Sequence, residues 1–412
     1  MRFAFYFADY VKSFSLKSLR NGDIGAGGGV VRSRILFWLA KLGHEIFILN
    51  HVDENSVDGV RSVRVGQFTE IPQVIDNLGG VDLFVFNYDD YSSLLGDLPV
   101  PGARAKVIWA GNAFPPEFAL KIDNLRIHRA VCVSHAHRES HRLYPNFSRI
   151  EMAYSGIDLD IIDNSPEVKR EDNLIIFLGA PKDSKGFHNL LNSWPLIREK
   201  RPQARLRVLG SALLHDPSAK LGWTGMLDES FEAKYLDPLV GSSRDLEKIG
   251  IEFAGLLPSR DVHIELKRAA IAVVNMNFTG SFETYCRSAI EVQASGTPVI
   301  GAARGALNEV IRDGETGILI AEPEPEKISE VFVDLLDNSE MRRNYGRAGS
   351  EWARGKIGNY EKLASDWVGI AERTLRDEPA SYPKRYFQDF LRVAGYGRFR
   401  MAAKRILKIS SE

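Results

Sequence analysis

Residues 277–300 read NFTGSFETYCRSAIEVQASGTPVI, and the rest of the chain is organised around this stretch. An apolar, strand-like run at 271–276 precedes it, and a helical pattern begins near Thr284. The sequence Gly296-Thr-Pro298 ends that pattern before the next strand. A strand, loop, helix and strand in this order place the start of the helix at the carboxyl edge of a parallel sheet, where α/β proteins bind ligands.

The start of this predicted helix favours an anionic ligand, because free amides at a helix N-terminus attract a phosphate. Glu283 stands just before these amides, and Glu291 would lie about 12 Å further along a helix that rises about 1.5 Å per residue. That separation fits one carboxylate beside a sugar and one beside a ribose, on the two sides of a diphosphate. The spacing alone also fits two ordinary helix glutamates with no ligand. The amides in question belong to Thr284, Tyr285, Cys286 and Arg287.

Composition describes a globular protein and excludes several classes. The 412 residues are 44% hydrophobic and 26% charged, which predicts two domains of similar size. A net charge of −1 argues against a nucleic-acid-binding protein. Only two cysteines are present, Cys132 and Cys286, and their spacing suggests neither disulfides nor a metal cluster. The first residues have too short an apolar run for a signal peptide, and no run is long enough to span a membrane, so we expect a cytoplasmic protein.

A glycine-rich loop links the first predicted strand, 2–8, to a helical run at 30–42. Three consecutive glycines there exceed what a tight turn needs, and glycines let a ligand approach the backbone closely. A dinucleotide-binding Rossmann loop is the alternative, but the last glycine of that motif is missing, and Asn50 stands where an acidic residue should end the second strand. The three glycines are Gly27, Gly28 and Gly29.

Further strand-like runs at 62–65, 82–88, 106–110 and 130–134 complete a first doubly wound domain. Asp89 and Asp90 could bind a metal ion, but a capped turn after a strand explains them better. Three histidines also suggest a metal. The second and third lie two and six residues after the first, so the three do not share one face of a helix. We therefore expect solvated or capping roles and no metal site. These are His135, His137 and His141.

The stretch 283–291 resembles the Glu-x7-Glu signature of retaining glycosyltransferases of family 4. The resemblance covers residues 1 to about 376 and implies an α/β GT-B fold, with two Rossmann-like, doubly wound domains facing a central cleft. It implies an acceptor-side domain at 1–160 and a nucleotide-sugar-binding domain at 161–357. A crossover helix at 358–376 would return to the first domain, and a basic tail would occupy 377–412.

The resemblance also implies roles for individual residues. Glu283 would contact hydroxyls of the donor sugar, and Glu291 those of the ribose. Lys185, the glycine loop and the amides after Glu283 would hold the diphosphate, and Asn112 stands where many relatives have a histidine near the reacting sugar. Because Asn112 cannot supply a proton near neutral pH, an acid–base role there is not expected. Donor-site residues further implied by resemblance are Lys182, Gly280 and Glu309.

One departure from the family pattern concerns the leaving group. The family usually has an arginine where this chain has Ala180, and that arginine helps to neutralise the departing diphosphate. Lys182 or Arg287 could supply the missing charge. The implied reaction moves a sugar from a nucleotide-diphosphate sugar to a glycan or lipid-linked acceptor with retention, without cofactor or metal. A nucleotide-sugar epimerase and a catalytically weak partner subunit remain alternatives.

The tail beyond the crossover helix is basic and amphipathic. The segment from Lys384 to Ile409 contains eight basic residues and one acidic residue, Asp389. Its apolar residues recur at helical spacing. This pattern predicts two short helices that either pack on the body of the protein or bind an anionic membrane surface. The second option would place the protein on the inner face of the cell membrane, as a lipid-linked acceptor requires.

Overall fold

The computed structural model describes residues 1–7, 15–21, 28–51, 56–88, 98–114, 127–144, 146–214, 216, 218–280, 283–357 and 359–381. Two all-parallel sheets form the architecture, with strand orders β3-β2-β1-β4-β5-β6-β7 and β10-β9-β8-β11-β12-β13. The first sheet contains β1 (Arg2–Tyr6), β2 (Glu45–Asn50), β3 (Val60–Arg64), β4 (Val81–Asn87), β5 (Ala103–Ala110), β6 (Arg129–Cys132) and β7 (Ile150–Met152). The second contains β8 (Glu171–Leu178), β9 (Arg205–Leu209), β10 (Ile251–Gly255), β11 (Ala269–Val273), β12 (Val299–Ala302) and β13 (Gly317–Ile320).

Helices cover the faces of both sheets. The longer ones are Gly28–Lys41, Phe187–Lys200, Ser259–Arg268, Arg287–Ala294, Pro325–Asp337, Ser339–Trp352 and Tyr360–Leu375. The shorter ones are Leu16–Asn21, Ile71–Asn77, His135–Glu139, Leu159–Asp163, Glu229–Phe231, Asp237–Val240, Leu246–Ile249 and Leu307–Val310, with π-helical turns at Glu232–Leu236 and Ala353–Ile357. None of the helices in the described ranges is long and apolar enough to cross a membrane.

The central strands are apolar on both sides because both faces of each sheet are covered. In β11 all five residues are buried, and in β1 only Arg2 is partly exposed. The predicted strands are all present, with ends shifted by a few residues. The sequence patterns missed β7, which has only three residues. The stretch at 211–249, which is long for a connection between neighbouring strands, forms short helices between β9 and β10.

The last helix, Tyr360–Leu375, packs on helix Gly28–Lys41 of the first domain, as predicted for the crossover helix. Its Trp367 lies against Trp109 of β5, with ring centroids 4.5 Å apart, and both indoles are almost fully buried. Beyond this helix, Ala380 N donates to Ser148 O at 2.7 Å, so the chain stays on the first domain to the end of the described residues. The basic tail from 382 onward lies outside the described residues.

The domain boundary predicted at 160/161 falls between the two sheets. The first sheet ends with Met152 and the second begins with Glu171. Between them, Asp158 caps helix Leu159–Asp163, its side chain accepting a hydrogen bond from Ile161 N at 3.3 Å. Asp158 also pairs with Arg34 of the first domain. The connection between the two sheets is therefore partly helical.

Candidate active site

Glu283 lies beyond the carboxyl end of β11, where its carboxylate receives three hydrogen bonds. Lys185 Nζ and Asn275 Nδ2 donate to Oε2 at 2.6 and 2.7 Å, and Cys286 N donates to Oε1 at 3.3 Å. Asn275 was not singled out from the sequence, although its position two residues after a buried strand is typical of a site residue. Glu283 is therefore held in one orientation at the edge of the sheet.

The attraction between Lys185 and Glu283 keeps both side chains ionised. Burial by itself would raise the pKa of Glu283, but the charge of Lys185 and the three hydrogen bonds outweigh burial, and the pKa falls below its ordinary 4.5. Burial likewise opposes the charge on Lys185, while Glu283 more than offsets it, so the pKa of Lys185 rises above 10.5. Both groups are thus charged throughout the neutral pH range.

A tight loop at 182–186 brings Lys185 to Glu283. Lys185 O accepts a hydrogen bond from Met276 N at 3.0 Å, and Asn277 Nδ2 donates to Ser184 O at 3.2 Å. Gly186 has a φ of 66°, and a Cβ there would stand 2.0 Å from the carbonyl carbon of Met276. Only glycine permits this approach. The loop is therefore clamped against the segment that leads into Glu283.

Lys182 stands in the same loop and has a depressed pKa. Burial lowers the pKa of its amine first, and the positive charge of Lys185 lowers it further. Two neighbouring ammonium groups repel each other, and an anion bound between them would relieve that repulsion. Ala180, where the family has arginine, is fully buried and has no charge to contribute.

The helix after Glu283 begins at Arg287, three residues later than predicted. Cys286 has a φ of 56°, in the left-handed region, and its amide is already bonded to Glu283. The prediction that the amides of Thr284, Tyr285 and Cys286 form the first turn is therefore wrong. The physical reason lies in the first domain, whose loops hold Thr284: its Oγ1 donates to Gly111 O at 2.8 Å.

Glu291 is buried and already paired. Arg287 Nη2 lies 2.7 Å from Glu291 Oε1, one helical turn away, and the Glu291 side chain is 9% exposed. A ribose could reach this carboxylate only if the guanidinium shared it or moved. The ion pair also argues against Arg287 as the replacement for the missing arginine, because its charge is directed to Glu291 and not to the loop that holds Lys185.

Glu309 bridges the domains, in contrast to the donor contact that the family resemblance implied. Its carboxylate accepts hydrogen bonds from Tyr154 Oη at 2.6 Å, His135 N at 3.1 Å and Ala136 N at 2.9 Å. All three donors belong to the first domain. Burial raises the pKa of Glu309, and these hydrogen bonds offset only part of the effect. Tyr285 lies beside Tyr154, with ring centroids 5.9 Å apart, and is also buried.

The remaining predicted residues lie around this centre. Asn112 is exposed just after β5, next to the carbonyl that Thr284 contacts. Gly280 adopts a φ of 67°, and its carbonyl accepts a hydrogen bond from Arg304. Gly28 and Gly29 begin the helix Gly28–Lys41, whereas Gly27 lies outside the described residues, as do Asp89 and Asp90.

The three histidines are buried, so the prediction of solvated positions is wrong. His137 and His141 are four residues apart and lie beside Cys132 at the end of β6. One potential ligand atom of each residue lies within 4.8 Å of the others. His141 Nδ1 lies 2.9 Å from His137 O, and its Nε2 accepts from Phe114 N at 3.4 Å, so both ring nitrogens are engaged. Burial lowers the pKa of His141 to about 4. The cluster forms part of the hydrogen-bonded core of the first domain.

Two parallel Rossmann-like domains with a last helix that returns to the first domain define the GT-B fold. The chain shares this fold with sucrose-phosphate synthase from Thermosynechococcus elongatus, at a TM-score of 0.64 and 15% identity over 91% of this chain and 99% of that one. It is similarly close to Anabaena Alr3699/HepE in complex with UDP and glucose, with a TM-score of 0.64 and 13% identity over 90% and 99% of the two chains. At such identities the likeness concerns the fold.

Residues 159–352 match the model of the family described as Glycosyl transferases group 1. D-inositol 3-phosphate glycosyltransferase of Paenarthrobacter aurescens is 31% identical over 210 residues, which are 49% of this chain and 47% of that protein. Spore coat protein SA of Bacillus subtilis is 25% identical over 241 residues, 55% and 59% of the two. The chain thus spans about half the length of the curated relatives it matches.

Proposed function

We propose that the protein is a retaining glycosyltransferase that moves a sugar from a nucleotide-diphosphate sugar to a glycan or lipid-linked acceptor. The observation that carries the proposal is the Glu283 carboxylate, kept ionised by Lys185 and Asn275 beyond the carboxyl end of β11. An oriented carboxylate can bind the donor sugar, while the adjoining lysine loop offers positive charge to a diphosphate. The family match and the UDP complexes of the fold relatives agree with such a donor.

In the proposed reaction the bond between the anomeric carbon and the diphosphate oxygen breaks, and a bond to the acceptor oxygen forms on the same face. The acceptor proton passes to the departing phosphate oxygen. Negative charge grows on the diphosphate, and Lys185 and Lys182 would stabilise it there. Closure of the two domains would exclude water that otherwise hydrolyses the donor. The groups named belong to the chain and the two substrates, so we infer that the reaction needs neither metal nor cofactor.

A catalytically weak partner subunit is the second candidate, and two observations favour it. Ala180 leaves the leaving-group site without its usual guanidinium, and Arg287 occupies the Glu291 carboxylate expected to hold the ribose. Such a protein would bind a nucleotide sugar weakly or not at all.

A donor screen separates these functions. The full chain is incubated with UDP-, GDP- and ADP-linked hexoses, and nucleotide release, epimerised sugar and the anomeric configuration of any glycoside are measured by NMR. Nucleotide release with a retained anomer supports the proposal. Sugar epimerised without transfer makes the protein an epimerase, whereas an inverted product contradicts the retaining mechanism. Absence of both binding and turnover favours the partner subunit.

Activity is expected to survive chelation by EDTA. The lysine loop and the helix start can neutralise a diphosphate without a divalent cation. The measurement compares initial rates before and after dialysis against EDTA, with the melting temperature recorded in parallel. A loss of rate that Mg²⁺ or Mn²⁺ restores would contradict the expectation. Asp89 and Asp90 would then be the candidate ligands of the metal ion. A drop in melting temperature that zinc reverses would instead assign a metal to Cys132, His137 and His141.

We also propose that the tail from 382 onward binds an anionic membrane surface, each basic residue contributing about 1 kcal/mol near the surface. Truncation after Ser381 is the sharpest test, because residues up to Ser381 are bonded to the first domain. The truncated protein is expected to lose sedimentation with phosphatidylserine vesicles at low salt while donor turnover persists. Replacing the tail arginines by glutamine should weaken sedimentation in the same way. Unchanged sedimentation, or none by the intact protein, would contradict the membrane role.

A further inference from the structure

Thr284 contacts the first domain through both its side chain and its backbone. Its Oγ1 donates to Gly111 O at 2.8 Å, and its own carbonyl accepts a hydrogen bond from Ser134 Oγ at 2.5 Å. Gly111 follows β5 and Ser134 follows β6, so the two contacts come from neighbouring strands of the first sheet. The residue before Thr284 is Glu283. A single residue of the second domain thus connects the candidate catalytic carboxylate to two loops of the opposite domain.

We propose that Thr284 is a positioning residue, which places Glu283 correctly relative to the acceptor-side loop when the domains close. This inference rests on the proposed glycosyl transfer. In the proposed reaction the acceptor would approach from the first domain, and the loop at 111–112 is one of the two parts of that domain bonded to the residue next to Glu283. Transfer requires reacting groups held to within a fraction of an ångström, and misplacement lowers turnover more than it lowers binding.

Glu309 stabilises the helix start from which Ser134 contacts Thr284. Ser134 accepts a hydrogen bond from His137 N at 2.9 Å and so caps the short helix His135–Glu139. Glu309 accepts from the amides of His135 and Ala136 at the start of the same helix. Amides at a helix start have no partner within the helix, so a carboxylate from the second domain completes this turn. Ser134 is thereby fixed where it meets Thr284.

The decisive variant is Thr284→Val, which keeps the shape of the side chain and removes its hydroxyl. Loss of one hydrogen bond that orients the reacting groups is expected to lower kcat about tenfold, with the KM for the donor changed less than about threefold. The donor should also be hydrolysed more often relative to transfer. Thr284→Ser retains the hydroxyl and should recover most of kcat, which a merely structural role would not predict.

Ser134→Ala removes the second contact and should resemble Thr284→Val. The double variant is expected to lose less than the product of the two single effects, because both contacts act through the same residue. Thr374→Val serves as the matched control. Thr374 is buried, and its hydroxyl donates to Ile370 O within the crossover helix, so kcat should stay at the parent value.

A readout independent of turnover is hydrogen–deuterium exchange of the unliganded protein. Peptides covering 107–112 and 133–139 should exchange faster in Thr284→Val than in the parent and the control. Unchanged exchange together with unchanged kinetics overturns the inference. Faster exchange with a parental kcat also overturns it, because the contact would then be structural only. A parent protein that neither transfers nor hydrolyses any sugar overturns the proposed function, whereas an active parent with an equally active Thr284→Val overturns the positioning role alone.

Discussion

Glu283→Gln is expected to lower turnover at least about a hundredfold, because it weakens an oriented contact that is strongest in the transition state. Glutamine has nearly the same shape. With its oxygen at the Oε2 position it still accepts from Lys185 and Asn275, whereas its NH2 group faces the donor Cys286 N and loses that hydrogen bond. Its carboxamide lacks the charge that stabilises a positively polarised sugar ring. Initial rates with the preferred donor of the screen are the measurement.

The control for this variant is Glu315→Gln. Glu315 pairs with Arg312 at 2.8 Å on the surface and is 59% exposed, so the same chemical change there should leave the rate unaltered. Thermal melting of both variants establishes that they are folded. A well-folded Glu283→Gln protein with near-normal turnover would remove Glu283 from the mechanism.

Lys185→Ala is expected to raise the KM for the donor about tenfold or more and to lower kcat, with little change in acceptor KM. The ammonium has two effects in the structure, since it lowers the pKa of Glu283 and lies in the loop proposed to meet the diphosphate. Its removal should therefore also shift the acid limb of the rate profile to higher pH. The sign follows because Glu283 without its cation binds a proton more readily.

Two further lysine variants complete this test. Lys182→Ala should damage donor use nearly as much, since Lys182 is the cation next to Lys185. Arg287→Ala should act differently, by releasing Glu291 from its ion pair. Lys267→Ala is the matched control, because Lys267 is a largely buried lysine outside the 182–186 loop, bonded to Ser165 O and Glu167. If neither lysine of the 182–186 loop affects the rate, the partner-subunit function gains support.

The fold could be read from the sequence because parallel strands covered on both faces leave continuous apolar runs, of which 271–276 is an example. Lys185 and Glu283 could be paired only through the family resemblance, since they are 98 residues apart. The start of the helix could not be placed, because Thr284 is held by Gly111 and Ser134, which lie 173 and 150 residues away. Local propensity contains no information on such contacts.

Long-range contacts also explain why the environments of Glu309 and of the histidines could not be predicted from the sequence. Glu309 follows a pattern shared with the family, yet its partners are supplied by the packing of one domain on the other. The spacing of the three histidines predicted solvated or capping roles, because they do not share one face of a helix. Their burial follows from Phe114, whose ring stacks on His141 with centroids 3.8 Å apart.

The crossover helix has a consequence for how the protein is made. A ribosome releases residues 1–152 first, but the sheet they form lacks the helix that covers Trp109 until Trp367 has emerged. The buried carboxylate of Glu151 pairs with Arg129 of the same domain at 3.0 Å, and it gains its second cation, Arg373 at 2.8 Å, only from the later helix. The second sheet is instead covered by helices that follow it closely in the chain, Pro325–Asp337 and Ser339–Trp352. The domain synthesised first is thus the one finished last, and we expect its Trp109 side to stay exposed until the last helix is made.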